Sequence, residues 1–206
     1  MTINENNQST LAYYEQHAAE FSLQTSALNM SDIYNKFLNG LAPGSHILDA
    51  GCGAGRDTLA FHKLGYRVCA FDASPALVDI AANATGQNVI CSTFDNFTSS
   101  QPFDGIWACA SLLHTVDNKL TATVSHLSQY LSVGGVFYMS FKYGTGNRLQ
   151  GERQFTDMNE KSIAKLIDSV SHLAISDQWV TGDVREGNNQ SWLNVIVKRI
   201  YSNGES

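Results

Sequence analysis

The sequence predicts an α/β fold: a Rossmann-like doubly wound sheet, mostly parallel with an antiparallel C-terminal strand, and helices on both faces. Three observations carry this prediction. Short apolar runs alternate with helical stretches from residue 46 to residue 141, the order that builds parallel strands joined by crossover helices. The first of these runs ends in a loop with glycines at 51, 53 and 55. After residue 170 the alternation gives way to two β-like runs, Leu173–Val180 and Trp192–Ile200, which read as an antiparallel hairpin around Gly187–Asn189.

The elements follow in chain order. Residues 1–10 are polar and read as a mobile tail. Residues 11–40 carry helical spacing, with Leu11, Tyr14, Ala18 and Phe21 on one stretch and Ile33, Phe37 and Leu38 on the next. Gly40 and Pro43–Gly44 stop that region. His46–Ala50 is a buried strand. Thr58–Leu64 is a helix stopped by Gly65, and Arg67–Phe71 is the second strand. Ser74 and Pro75 open a helix as N-cap and N1. Asn88–Ser92 and Phe103–Cys109 are the third and fourth strands. Val116–Leu131 is an amphipathic helix ended by Gly134–Gly135, and Val136–Phe141 is the fifth strand. Met158–Val170 is a helix with Ile163, Leu166, Ile167 and Val170 on its apolar face.

Composition narrows the function classes. The chain of 206 residues fits one domain, and 43% hydrophobic residues suffice for a sizeable core. The net charge of −6, with no basic block, argues against a DNA partner and makes RNA an improbable one. Cys52, Cys69, Cys91 and Cys109 form no CxxC pair and have no histidine at ligand spacing, so no metal site is expected, and free thiols suit a reducing cytoplasm. A polar N-terminus and the lack of any long apolar run give no expectation of a signal peptide or a membrane partner. A monomer and a homodimer are both compatible with this composition.

The sharpest local signal is Asp49-Ala-Gly51-Cys-Gly53-Ala-Gly55-Arg56-Asp57, between a strand and a helix. Gly51 and Gly53 let the backbone turn and approach a ligand with no Cβ in the way. Asp72 closes the next strand, where a carboxylate accepts both hydroxyls of a ribose. A dinucleotide loop spaces its third glycine one residue later and faces a pyrophosphate. Asp49 and Asp57 are poor neighbours for that group and tolerable ones for a sulfonium cation. Arg56 is placed to meet an amino-acid carboxylate.

These segments, with VCAFDASP (68–75), FDGIWACASLLH (103–114) and LSVGGVFYMSF (131–141), resemble the class I S-adenosylmethionine-dependent methyltransferases. The resemblance extends over about residues 11–200. More narrowly, the Gly-Arg-Asp ending of the loop and the SFKYG segment (140–144) are similar to small bacterial enzymes of the tellurite-resistance and thiopurine type. The resemblance implies a cofactor, S-adenosylmethionine, spent as S-adenosylhomocysteine; it does not identify the methyl acceptor, for which a small molecule is the first reading and a small protein target stays open. It implies that Gly51 and Gly53 face methionine and ribose, that Asp49 orders the loop and the ammonium group, and that Asp72, with Ala73, holds the ribose. Thr93 and Phe94 would flank the adenine, although many relatives carry Asp at the position of Thr93. Ala108 and Cys109 would line the methionine side, and Arg56 would meet the carboxylate.

Around this core, His114 is the candidate catalytic base, and capping or orienting the next helix is its structural alternative. Tyr14 is the candidate lid contact. Tyr143, Arg148, Arg153 and Trp192 are candidate substrate contacts, with Trp179 and Arg185 behind them. If they converge, the pocket suits a small anionic or soft nucleophile. One domain is expected over 1–206: tail and lid helices (1–40), cofactor core (46–141), a segment covering the substrate (142–157), and a C-terminal helix with hairpin (158–200). A nucleotide-dependent oxidoreductase and a non-catalytic S-adenosylmethionine-binding module are the competing readings.

Overall fold

The computed structural model describes residues 3–185 and 187–201, with the side chains of 3–7 left aside. Its centre is a seven-stranded sheet in the order β3-β2-β1-β4-β5-β9-β8. The strands are β1 (His46–Ala50), β2 (Arg67–Asp72), β3 (Val89–Cys91), β4 (Phe103–Ala108), β5 (Leu131–Lys142), β8 (Leu173–Gly182) and β9 (Ser191–Arg199). β3, β2, β1, β4 and β5 run parallel, and β9 is antiparallel to both β5 and β8. The expected mixed sheet and C-terminal hairpin are therefore present.

Strand alternation divides the core. Leu48, Phe71, Ile106 and Phe137 face α6 (Asp117–Ser128) and α7 (Glu160–Asp168). Ile47, Trp107 and Tyr138 face the other way, onto Phe37 of α3 (Ser31–Leu38) and Phe61 of α4 (Arg56–Lys63). On that face the Trp107 and Tyr138 rings stack at 4.0 Å. α5 (Pro75–Thr85) starts where the sequence indicates, with the Ser74 hydroxyl accepting from the Leu77 N–H. α7 starts in a capping box made by Asn159 and Ser162.

Two expectations are corrected. Residues 3–10 are not a tail, because α1 spans Ile3–Gln16 and its Thr10 is buried; residues 1 and 2 lie outside the described residues. The helical region expected to residue 40 is present as three helices, with α2 (Ala18–Thr25) between α1 and α3. The helix after residue 116 ends at Ser128, and Gly134–Gly135 lie inside β5 instead of closing that helix. There the ladder to β4 shifts register, and a Cβ on Gly135 would sit 2.8 Å from the carbonyl oxygens of Asp104 and Ser132. The polar segment after Lys142 forms a hairpin, β6 (Gly146–Gln150) with β7 (Arg153–Asp157). Among the described residues, no helix is long and apolar enough to cross a membrane.

Candidate active site

The sheet order reverses between β1 and β4, so the loops after β1, β2, β3 and β4 open at one edge, where ligands bind in open α/β sheets. A cleft of about 640 Å³ lies there, within the range expected for small-molecule sites. Its walls contain Tyr14, Gly51, Gly53, Arg56, Asp72, Ala73, Thr93, Phe94, Cys109, His114, Arg153, Arg185 and Trp192, so most candidates from the sequence converge.

The glycine loop is built for close approach. Gly51 has φ +77°, and a Cβ there would lie 2.6 Å from the Ser111 Cβ and 3.4 Å from the Phe94 ring. Gly53 has φ +56°, and its missing side chain faces Phe21 of α2 at 3.0 Å. The Asp72 carboxylate accepts from the Gly53 N–H (2.9 Å) and the Ser74 N–H (3.0 Å). Burial raises its pKa, and those amide bonds oppose the rise. Phe94 stands edge-on to Phe71 at 5.7 Å, half-buried at the cleft wall.

Beneath the loop lies a charged knot. Asp57 accepts two bonds from Arg56 (2.6 and 2.9 Å), one from the Tyr34 hydroxyl (2.5 Å) and one from the Trp107 indole N–H (2.8 Å). Burial alone would raise the Asp57 pKa, but the Arg56 charge and these bonds hold it below the usual carboxylate range. Asp49 is pushed the other way, by burial and by the neighbouring Asp57 charge, and accepts from the Thr58 hydroxyl at 2.6 Å. Burial also lifts the thiols of Cys52 and Cys109, the latter to about 12, which favours the protonated thiols.

The helical cover is tied at both ends. Glu15 of α1 accepts from the Ser74 hydroxyl (2.6 Å) and the Ala76 N–H (3.1 Å). Thr10 accepts from the Gln154 N–H of β7, and Ser9 donates to the Glu152 carbonyl. His114 sits in the 3-10 turn Leu112–His114 and joins this cover. Its Nδ1 is 2.8 Å from the Gln154 carbonyl and its Nε2 is 2.9 Å from the Tyr14 hydroxyl. A carbonyl only accepts, so Nδ1 carries the proton and Nε2 accepts from Tyr14. Burial lowers the His114 pKa to about 4, leaving the ring neutral. It does not cap the next helix, whose N-cap is Val116.

Several sequence candidates lie elsewhere. Asp49 and Ala108 are buried under the cleft floor and do not line it. Tyr143 is exposed and donates to Glu160, because the strand end turns its ring outward. Arg148 points along the hairpin to Asp157 at 2.5 Å and lines a different depression. Trp179 lies on the far face of the sheet, under the Lys36 ammonium. Sequence reasoning missed Lys142, Phe155 and Asn194, all on the cleft wall. The signal for Lys142 was a lysine ending a strand that is otherwise apolar. Ala110, with φ 51°, is the one described non-glycine residue of positive φ, and it also lines the cleft. Among the described residues, no group of three or more His, Cys, Asp or Glu side chains is placed to hold a metal ion.

Comparisons with known proteins agree with this geometry. Residues 47–135 match the family model described as a methyltransferase domain. The ubiquinone biosynthesis O-methyltransferase of Xanthomonas campestris pv. campestris strain B100 is 28% identical over 137 residues, 63% of this chain. The match spans 55% of that relative, so the chain covers about half the length of the curated relatives. The 1,6-didemethyltoxoflavin-N1-methyltransferase of Burkholderia thailandensis, solved with 1,6-didemethyltoxoflavin and S-adenosylhomocysteine, superposes with a TM-score of 0.80. It is 20% identical, and the superposition covers 98% of this chain and 92% of that one. The magnesium protoporphyrin IX methyltransferase of Synechocystis PCC 6803 gives 0.73 at 15% identity, over 94% of this chain and 97% of that one.

Proposed function

We propose that this chain, whose residues 47–135 match a methyltransferase domain, is a class I S-adenosylmethionine-dependent methyltransferase that transfers a methyl group to a small molecule bound in the same cleft, leaving S-adenosylhomocysteine. One observation carries the reading: a buried carboxylate, Asp72, stands at the end of β2 beside a loop in which Gly51 and Gly53 leave no room for a Cβ. That pairing suits a ribose diol next to a thin backbone wall.

When bound, S-adenosylmethionine supplies a methyl group already activated on a sulfonium sulfur. Asp72 would hold the ribose hydroxyls, with Ala73 alongside. Thr93 and the Phe94 ring flank the adenine. Gly51, Gly53 and Cys109 line the methionine side, and Arg56, fixed by Asp57, meets the carboxylate. Asp49 orders the loop from below through Thr58. Tyr14 and Phe21 close the cover and exclude water. The work left to the protein is alignment of the reacting atoms. His114 is a positioning residue: its Nδ1–H holds the β7 backbone while its Nε2 fixes the Tyr14 hydroxyl at the cleft. Arg153 and Trp192 face the acceptor end. The Burkholderia neighbour was solved with both 1,6-didemethyltoxoflavin and S-adenosylhomocysteine bound, and the volume of this cleft suits a donor together with a small acceptor.

The test is S-adenosylhomocysteine formation from S-adenosylmethionine, followed by mass spectrometry with a panel of small phenols, amines, thiols and acids. Methylated product that disappears in Asp72→Ala supports the reading. Product formation that is indifferent to Asp72→Ala refutes it.

A further inference from the structure

The two ends of the cleft differ in charge. The donor end presents Asp72. At the other end, Lys142 closes β5, and Arg153 and Phe155 belong to β7. The Lys142 ammonium lies 3.7 Å from the Phe155 ring centroid, and the guanidinium carbons of Arg148 and Arg153 lie at 5.0 and 5.4 Å. Three cations thus surround one ring in a chain whose net charge is −6.

Their counter-charge is incomplete. The charged groups that face Lys142 are Arg148, Arg153, Asp157 and Arg185. Asp157 is paired with Arg148 through Oδ2, while its Oδ1 is buried without a hydrogen-bond partner, and Arg185 is held by Asp183 at 2.5 Å. Among the described residues, no carboxylate lies within ion-pair distance of Lys142 or Arg153. Lys142 is only 9% exposed, and its Nζ donates to a neutral partner, the Gln150 amide oxygen at 3.1 Å. The Nε of Arg153 is buried with no hydrogen-bond partner. Its guanidinium lies over the Tyr13 ring at 4.4 Å and also hydrogen-bonds the Tyr14 hydroxyl. Aromatic faces offset part of the desolvation of these cations. An anion would offset more, because a guanidinium edge and an ammonium together satisfy a carboxylate or phosphate. Burial, with Arg148 and Arg153 nearby, lowers the Lys142 pKa to about 8, as expected for a cation awaiting a counter-charge.

We propose that Lys142 and Arg153, against the ring of Phe155, form an anion subsite that holds a carboxylate or phosphate of the methyl acceptor. Taking the ligand to be the acceptor rests on the methyltransferase reading. The subsite puts the anion at the far end of the cleft from Asp72 and leaves the rest of the acceptor facing Tyr14 and Trp192.

The experiment is isothermal titration of the full chain, saturated with S-adenosylhomocysteine, with benzoate, phenyl phosphate and neutral benzamide. Both anions bind the wild-type protein more tightly than benzamide does. In Lys142→Met/Arg153→Met each anion binds about tenfold to a hundredfold more weakly, the loss expected for charge-assisted hydrogen bonds, and benzamide is unaffected. The tighter of the two anions identifies the group. Single variants Lys142→Gln and Arg153→Gln, each checked for S-adenosylhomocysteine binding, guard against misfolding of the double variant. Equal anion affinity in wild type and variants, or no anion binding at all, overturns the subsite. S-adenosylhomocysteine binding without anion binding sinks the subsite alone, whereas absence of S-adenosylhomocysteine binding sinks the methyltransferase reading beneath it.

Discussion

Replacing Asp57 by Asn tests whether the knot below the glycine loop stabilises the fold. Asp57 is 6% exposed and accepts four hydrogen bonds, two of them from Arg56. Asn keeps the shape but removes the charge, and its NH2 must face a donor. Arg56, whose side chain is 18% exposed, then keeps its cation with no counter-charge. Breaking a buried pair by removing one partner costs about 3–5 kcal/mol. For a chain of this length, roughly 2–4 °C of melting temperature accompanies each kcal/mol, so the fall is roughly 6–20 °C. Thermal and urea melts followed by circular dichroism measure it. Tyr34→Phe removes a single bond and costs ~1–2 kcal/mol. The double variant falls short of the sum, because both act on one carboxylate. The pH dependence has a definite sign. The folded pKa of Asp57 is depressed, so its contribution is present above the unfolded value of about 4 and is lost as pH falls through the folded one. Asp57→Asn therefore flattens the acid limb of the stability curve. A loss below about 1 kcal/mol, the size of an ordinary surface change, would refute the reasoning.

Two further predictions concern the cleft. Gly51→Ala puts a Cβ 2.6 Å from that of Ser111 at φ +77°, which costs ~1–3 kcal/mol of stability and at least about tenfold in S-adenosylhomocysteine affinity, read by melts and calorimetry. His114 has a folded pKa of about 4, below the ordinary 6.5, so its contribution is complete above pH 6.5 and declines as pH falls toward 4, by up to about 3 kcal/mol. Melts between pH 7.5 and 4.5 show that decline in the wild type, and His114→Gln, which does not titrate, reduces it.

The fold was legible because its signals are local. Alternating apolar runs, the Ser74–Pro75 start and the glycine loop each declare an element within a few residues, and all of them appear at the stated places. The amino-terminal helix was less legible. Residues 3–10 are polar, and their helix is held by partners far along the chain, Thr10 by Gln154 and Ser9 by Glu152, which no local pattern reveals. The Gly-Gly pair was read as a helix stop because glycine breaks helices. The force acting on it is the close approach of the Asp104 carbonyl from the neighbouring strand. In the site, strand ends put Gly51, Gly53 and Asp72 on the cleft wall, while Asp49 lies buried beneath it. The acceptor end is less legible: Arg148 and Arg153 share one face of the hairpin and both approach the Phe155 ring, but Arg148 is taken by Asp157 and does not line the cleft, whereas Arg153 does. Lys142 went unnoticed because a lysine at a strand end is ordinarily a solvated charge.

The central claim is that the cleft at the ends of β1, β2 and β4 binds S-adenosylmethionine. Its most direct test is isothermal titration of the full chain with S-adenosylhomocysteine and, separately, with NADH, in the wild type and in Asp72→Ala. The account predicts one-site binding of S-adenosylhomocysteine, no binding of NADH, and a loss in Asp72→Ala of at least about tenfold, the value of a charge-assisted hydrogen bond. Binding of NADH in its place, or S-adenosylhomocysteine binding untouched by Asp72→Ala, would contradict it.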